Sequence, residues 1–173
     1  ESVACPLTSD YGFFRLALDD ITTQSSPRGG TLIGDAIRKA AELFDKKLDT
    51  HKLILLITDG EDQQSYPVEA AAGVWNDAKI PIVAIAIGDA QQGARIPVGD
   101  PARGQFLQYK GETVWSKADF DALRRTAEAS PLGVFVPVGT SNFDLGGIYR
   151  SVASATRATE RQDQQAARQP PRF

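Results

Sequence analysis

The chain has 173 residues, enough for one domain of ordinary size and a tail, and its 42% apolar and 24% charged residues are the balance of a globular protein. A net charge of −3 argues against a nucleic-acid partner, which wants a basic face, and no stretch approaches the roughly 18 apolar residues of a membrane span. The single cysteine, Cys5, cannot form an internal disulfide, and the single histidine, His51, makes a His-based zinc site or a Ser-His-Asp triad hard to build.

Met is absent, and Glu1 opens directly into what reads as a strand end, so the sequence reads as a processed or partial chain with a cut N-terminus. Ser2 to Leu7 is short, apolar and closed by Pro6, which suits an edge strand or the end of one. Thr8, Ser9 and Asp10 offer capping side chains, and Phe14, Ala17, Leu18 and Ile21 predict a helix after them. Thr22 to Gly30 is a loop punctuated by Ser25-Ser26-Pro27 and Gly29-Gly30. Thr31 opens a second helix, with Ile33, Ala36, Ile37, Ala40, Leu43, Phe44 and Leu48 as its apolar stripe, ending near Asp49.

Leu53 to Ile57 is a continuous run of Leu and Ile, the pattern of a parallel strand buried on both faces; it stops at Thr58-Asp59-Gly60. Val68 to Ala78 is a short Ala-rich helix, and Ile80 to Ile87 a second buried strand broken by Gly88-Asp89. Ala90 to Lys117 lacks helical periodicity. Extended pieces around Phe106-Leu107-Gln108-Tyr109 and Thr113-Val114-Trp115 flank Lys110-Gly111, which suits a hairpin turn. Asp119 to Ala129 is a helix with Phe120, Leu123 and Ala127 inward, Gly133 to Val138 a third buried strand, and Phe143 to Thr156 a last core helix. Arg157 to Phe173 is polar, ends near Pro170-Pro171 and reads as a linker or unpacked extension. Strands alternating with helices predict an α/β domain over residues 1–156, a Rossmann-like, mainly parallel sheet flanked by helices, followed by the extension at 157–173.

Three segments point to a family: Cys5-Pro6-Leu7-Thr8-Ser9-Asp10, then Gly29-Gly30-Thr31-Leu32-Ile33-Gly34-Asp35-Ala36-Ile37, then Leu55-Leu56-Ile57-Thr58-Asp59-Gly60-Glu61-Asp62. In order and spacing they resemble von Willebrand factor A (VWA) domains, in particular the bacterial membrane-anchored aerotolerance (Bat) type. Ile85-Ala86-Ile87-Gly88-Asp89, the Gly-rich hairpin segment and Asp144-Leu145-Gly146-Gly147-Ile148-Tyr149 fit the same subgroup. The resemblance covers residues 1–156; each motif is weak alone, and the three in register are strong.

The resemblance implies a metal-ion-dependent adhesion site (MIDAS). Thr31 matches its hydroxyl ligand from a second loop, and Asp59 its carboxylate from a third loop at a strand end. The first part, an Asp-x-Ser-x-Ser loop, is not in this chain. Its place in family order is upstream of Glu1, and the first two strands and first helix would be missing with it. The implied ion is Mg²⁺ or Mn²⁺, weakly held or absent with two ligands alone. Such ions take about six oxygens at ~2.0–2.1 Å and keep several waters; the residual charge attracts a partner's Glu or Asp. Further implied are a MoxR-type AAA+ ATPase and other VWA proteins as partners, and a parent protein held in the bacterial inner membrane through segments outside this chain.

Each residue also has a plainer reading. Thr31 can be a helix N-cap, Asp59 a turn residue before Gly60, and Asp35 a carboxylate placed for the helix dipole. Glu61 and Asp62 read as a solvated loop or a first helical turn, Cys5 as a small buried residue, His51 as surface, and Trp75 and Trp115 as packing residues. Three functions compete. The first is a non-catalytic, metal-dependent protein-binding module. The second is a phosphohydrolase-like enzyme using Asp59, for which position 61 would want a second acid in register and is Glu. The third is a fragment without independent activity, its buried-type strands exposed by a gap in the sheet.

Overall fold

The computed structural model describes residues 2–22, 25, 30–45, 48, 50–99, 104–139 and 142–168, without the side chains of 156 and 159–168. In chain order these form α1 (Tyr11–Asp19), α2 (Ile33–Glu42), β1 (Ile54–Thr58), α3 (Pro67–Ala78), β2 (Ile82–Ile87), the short strands β3 (Ala94–Arg95), β4 (Gln108–Tyr109), β5 (Glu112–Thr113) and β6 (Trp115–Ser116), then α4 (Phe120–Glu128), β7 (Val134–Gly139) and α5 (Leu145–Arg168).

The main sheet has the order β1-β2-β7, and both of its pairings are parallel. Parallel neighbours need crossover connections, and these run through α3 and α4, as the alternating pattern predicts. β2 is central and wholly apolar, with Ile82 to Ala86 buried. Pro137 in β7 lacks a backbone donor and sits on an edge strand, where that loss is tolerated.

One face of the sheet carries the larger core: Ile33 and Ile37 of α2, Ala70, Ala71 and Val74 of α3, and Leu123 and Ala127 of α4 close over Ile54, Ile82, Ala84 and Ala86. On the other face Val152 and Ile148 of α5 close over Val83, Ile85, Val134 and Val136. β1 departs from its expected burial. Leu55 and Ile57 pair with Val83 and Ile85 and so point to the α5 side, yet they are 40% and 47% exposed. Leu53 packs on the core cluster of that face and these two do not, and β1 is an edge strand with no neighbour on its outer side among the described residues.

Several boundaries also differ. Residues 2–7 form bends and no strand, since they have no neighbouring strand to pair with. α1 starts as anticipated, with Phe13 N–H donating to Asp10 Oδ1 at 3.0 Å, but none of its residues is buried. α2 begins at Ile33 rather than Thr31 and ends at Glu42, well before Asp49, so Leu43, Phe44 and Leu48 lie beyond it. The hairpin turn at Lys110-Gly111 is present, with φ of 51° and 86°, the double left-handed geometry of a tight two-residue turn. Trp115 belongs instead to β6, paired with β3, and is 58% exposed rather than packed in the core. α5 continues helical to Arg168, through the stretch read as an unpacked extension; the remainder of that stretch lies outside the described residues.

Candidate metal centre at the carboxyl ends of the strands

Asp59 follows the last residue of β1, and Gly88-Asp89 follows the last residue of β2, so both carboxylates stand at the carboxyl ends of parallel strands. This is where open α/β sheets gather ligands. The start of α2 reaches the same end through a set of bonds that the glycines permit. Gln63 N–H donates to Thr31 O at 2.9 Å, and Ile33 N–H donates to Asp62 Oδ1 at 2.8 Å. Gly34 N–H donates to Ser65 Oγ at 2.7 Å. The second half of the Asp59–Tyr66 loop is thereby stitched to the start of α2 through Asp62, Gln63 and Ser65.

The close approach explains the glycines. A Cβ on Gly34 would stand 2.1 Å from Ser65 O, and one on Gly60 (φ +89°) would stand 2.5 Å from Asp119 O. On the other flank Asp119 N–H donates to Asp59 O at 2.8 Å, which ties the start of α4 to the same loop.

Asp62 is the hub that sequence reasoning missed. Its carboxylate accepts from Ile33 N–H, Ser65 N–H and Ser65 Oγ–H, capping α2 from a distant segment. Leu32, at the N-cap position, offers no side-chain acceptor, and Thr31 is not the cap. Partial burial would raise the Asp62 pKa; the bonds from Ser65 and Ile33 and the nearby Arg38 charge outweigh it and hold the group below its ordinary value. The signal was present in Asp62-x-x-Ser65, an Asx-type spacing, but its partner lies 29 residues upstream and only the fold brings it there. Arg38 reinforces the joint, donating to Asp35 Oδ1 at 2.7 Å and Ser65 O at 3.1 Å. Glu61 is not free in solvent either: its Oε1 accepts from Lys117 N–H at 2.9 Å.

Of the two residues matched to the metal site, Thr31 keeps its hydroxyl available and Asp59 one of its two carboxylate oxygens. Asp59 is half-buried, and its Oδ1 accepts from Glu61 N–H at 3.2 Å. Asp59 Oδ2 and the exposed Thr31 hydroxyl have no hydrogen-bond partner among the described residues. A hydroxyl and a carboxylate are the hard oxygen donors that Mg²⁺ prefers. They would supply two of its about six positions. No three His, Cys, Asp or Glu side chains cluster among the described residues, so no other protein-only cage competes. Asp89 is committed elsewhere: hydrogen bonds from Gln92 and Gln91 N–H hold its pKa below the ordinary value, as in a local turn.

A parallel sheet flanked by helices, with the Thr31 and Asp59 loops joined at the carboxyl ends of its strands, defines an open α/β domain. The von Willebrand factor type A domain model matches residues 3–114, and the chain belongs to that family. Among solved structures it is similar to the conserved hypothetical protein BatB from Bacteroides thetaiotaomicron, at 26% identity and a TM-score of 0.70, covering 95% of this chain and 73% of that one. It is also similar to an aerotolerance-related membrane protein from Bacteroides fragilis, at 25% identity and a TM-score of 0.68, covering 92% of this chain and 72% of that one. No curated protein matches the chain.

Proposed function

We propose that this domain is a non-catalytic protein-interaction module that uses Thr31 and Asp59 to hold Mg²⁺ or Mn²⁺ and presents the ion to a carboxylate of a partner protein. The observation that supports this reading is the joining of the two loops through Gln63–Thr31 and Asp62–Ile33 at the end of the sheet where Asp59 stands, with the Thr31 hydroxyl and one Asp59 carboxylate oxygen unpartnered among the described residues. When bound, the ion supplies positive charge that a partner's Asp or Glu completes. Asp59 contributes the negative charge, Thr31 a neutral oxygen, and Asp62 positions Thr31 through the start of α2. An Asp-x-Ser-x-Ser loop of the family kind would supply further oxygens, and the outer edge of β1, which no strand among the described residues pairs with, supports a further strand beside Asp59.

Support for catalysis is thinner: Glu61, the acid two residues after Asp59, accepts from Lys117 N–H. A MoxR-type AAA+ ATPase and other VWA proteins are the proposed partners. The proposed setting is the bacterial inner membrane, reached through segments outside this chain; no helix among the described residues is long and apolar enough to cross a membrane.

The test is Mn²⁺ binding, read by water-proton relaxation, which detects weak sites. The wild type should enhance relaxation, Thr31→Ala should weaken the effect, and Asp59→Ala should abolish it. A wild type no different from the doubly substituted protein would refute the reading.

A further inference from the structure

Between β2 and α4 the chain leaves the sheet and builds a lobe from β3 to β6, which the metal-site reading does not use. Its base is fixed to the candidate centre. Lys117 N–H donates to Glu61 Oε1 at 2.9 Å, and Ala118 N–H donates to Asp89 O at 3.2 Å. Its charge balance differs from that of the whole chain. Residues 90–117 hold four basic residues against two acidic ones, in a chain with 19 against 22. Tyr109 and Trp115 are 68% and 58% exposed. Both sit beside cations: Arg95 lies 4.0 Å from the Phe106 ring centre and 6.0 Å from that of Trp115, and Lys110 lies 5.4 Å from that of Tyr109.

Cation–π contact with Phe106 positions the Arg95 guanidinium, and its fork of N–H donors suits bidentate carboxylate binding. Neither Arg95 nor Lys110 meets a carboxylate at ion-pair distance among the described residues. Exposed aromatics beside a stacked arginine match the enrichment of aromatic residues and Arg at interfaces, and Lys110 adds charge of the kind found at a polar rim. Asp119 and Asp121 line a cleft where the lobe joins α4, together with Lys117.

We propose that this lobe is a recognition surface for an acidic polypeptide segment, the one flanking the carboxylate that reaches the ion; the placement rests on the metal reading, the lobe's own chemistry does not. Arg95 and Lys110 take carboxylates, and Trp115 and Tyr109 take the apolar parts between them.

The experiment uses a Trp75→Phe background, which leaves Trp115 as the reporter of fluorescence from the lobe. The probe is a short peptide of glutamates around one phenylalanine, with its glutamine counterpart as control, with Mg²⁺ or with EDTA. Trp115 emission should change saturably with the acidic peptide alone. Lys110→Glu and Arg95→Glu should each weaken binding roughly tenfold, the size of one lost charge-assisted contact; Lys110 stands at an exposed hairpin tip, where reversal leaves folding intact by thermal melt. Binding lost in the lobe variants but kept in Asp59→Ala and in EDTA upholds the lobe and removes the metal. Binding lost in Asp59→Ala and EDTA but kept in the lobe variants overturns the lobe, as does no binding at all or equal binding of the glutamine peptide.

Discussion

The two faces of the sheet are built to different depths. On one, α2, α3 and α4 close over Ile54, Ile82, Ala84 and Ala86, and Ile37, Ala71 and Leu123 are at most 1% exposed. On the other, α5 shields Val83 and Ile85 and leaves Leu55 and Ile57 open beside the free edge of β1. The candidate centre hangs from the thick face. Its Thr-loop is the start of α2, and its Asp-loop is gripped by α2 on one flank and α4 on the other. Rigid support for ligands comes from packed elements, so the difference locates precision on one side of the molecule and adaptable, sticky surface on the other.

The contrast breaks first at the core. Ile37→Ala removes a side chain that is 1% exposed and should cost about 2–5 kcal/mol in urea unfolding. A loss below about 1 kcal/mol would mean that the α2 face is no tighter than the α5 face. Next comes the seam between α2 and the Asp-loop. Gly34→Ala places a methyl against a backbone carbonyl, which cannot swing away as a side-chain tip can, and overpacking of this kind costs about 1–3 kcal/mol. It should weaken Mn²⁺ binding as well, because the shift falls on the loop that holds Asp59. Gly73→Ala, with open space at its Cβ, is the matched control and should be neutral or stabilising.

The sequence was legible where one element decides its own state. The unbroken apolar run of β2 announced a buried strand, Asp10 and Asp119 announced helix starts, and Lys110-Gly111 announced its turn. It was illegible where the partner is remote. Leu55 and Ile57 look as buried as Ile82, because hydropathy reports what a residue prefers and not whether a neighbour covers it. Thr31 looked like a cap because capping was sought within the helix, whereas Asp62 caps α2 from 29 residues away. The Thr31 and Asp59 positions came from family resemblance, while the bonds that join their loops came only from the fold. α2 ends early because Leu43 and Phe44 turn into a loop that periodicity alone extends as helix.

A smaller effect tests the seam by pH. Asp62 has a lowered folded pKa, so its ionised form favours the native state. That contribution is present above the ordinary carboxylate pKa of 3.8 and is lost as pH falls through the lower folded value. Asp62→Asn should therefore lower the thermal midpoint at neutral pH and flatten the wild-type decline in acid. The loss should be about 1 kcal/mol, since water reaches the group and replaces part of the bonding. Parallel acid profiles in the two proteins would show that the α2 cap does not depend on the charge.

The smallest stability effect belongs to the open face, and there it carries the most information about association. Leu55→Ser with Ile57→Ser removes two side chains that are already 40% and 47% in water. Neither fills a closed cavity, so each should change stability by about 0.5 kcal/mol or less, apart from a modest loss of β propensity. Association is another matter. A parallel edge strand with unpaired backbone groups and two exposed aliphatic side chains is the kind of surface that templates a neighbouring chain. Static light scattering over a concentration series should therefore fall in the double variant while its melt stays nearly in place. A large loss of stability would show instead that α5 or another segment closes over Leu55 and Ile57 in solution, and the two faces would then be alike in depth.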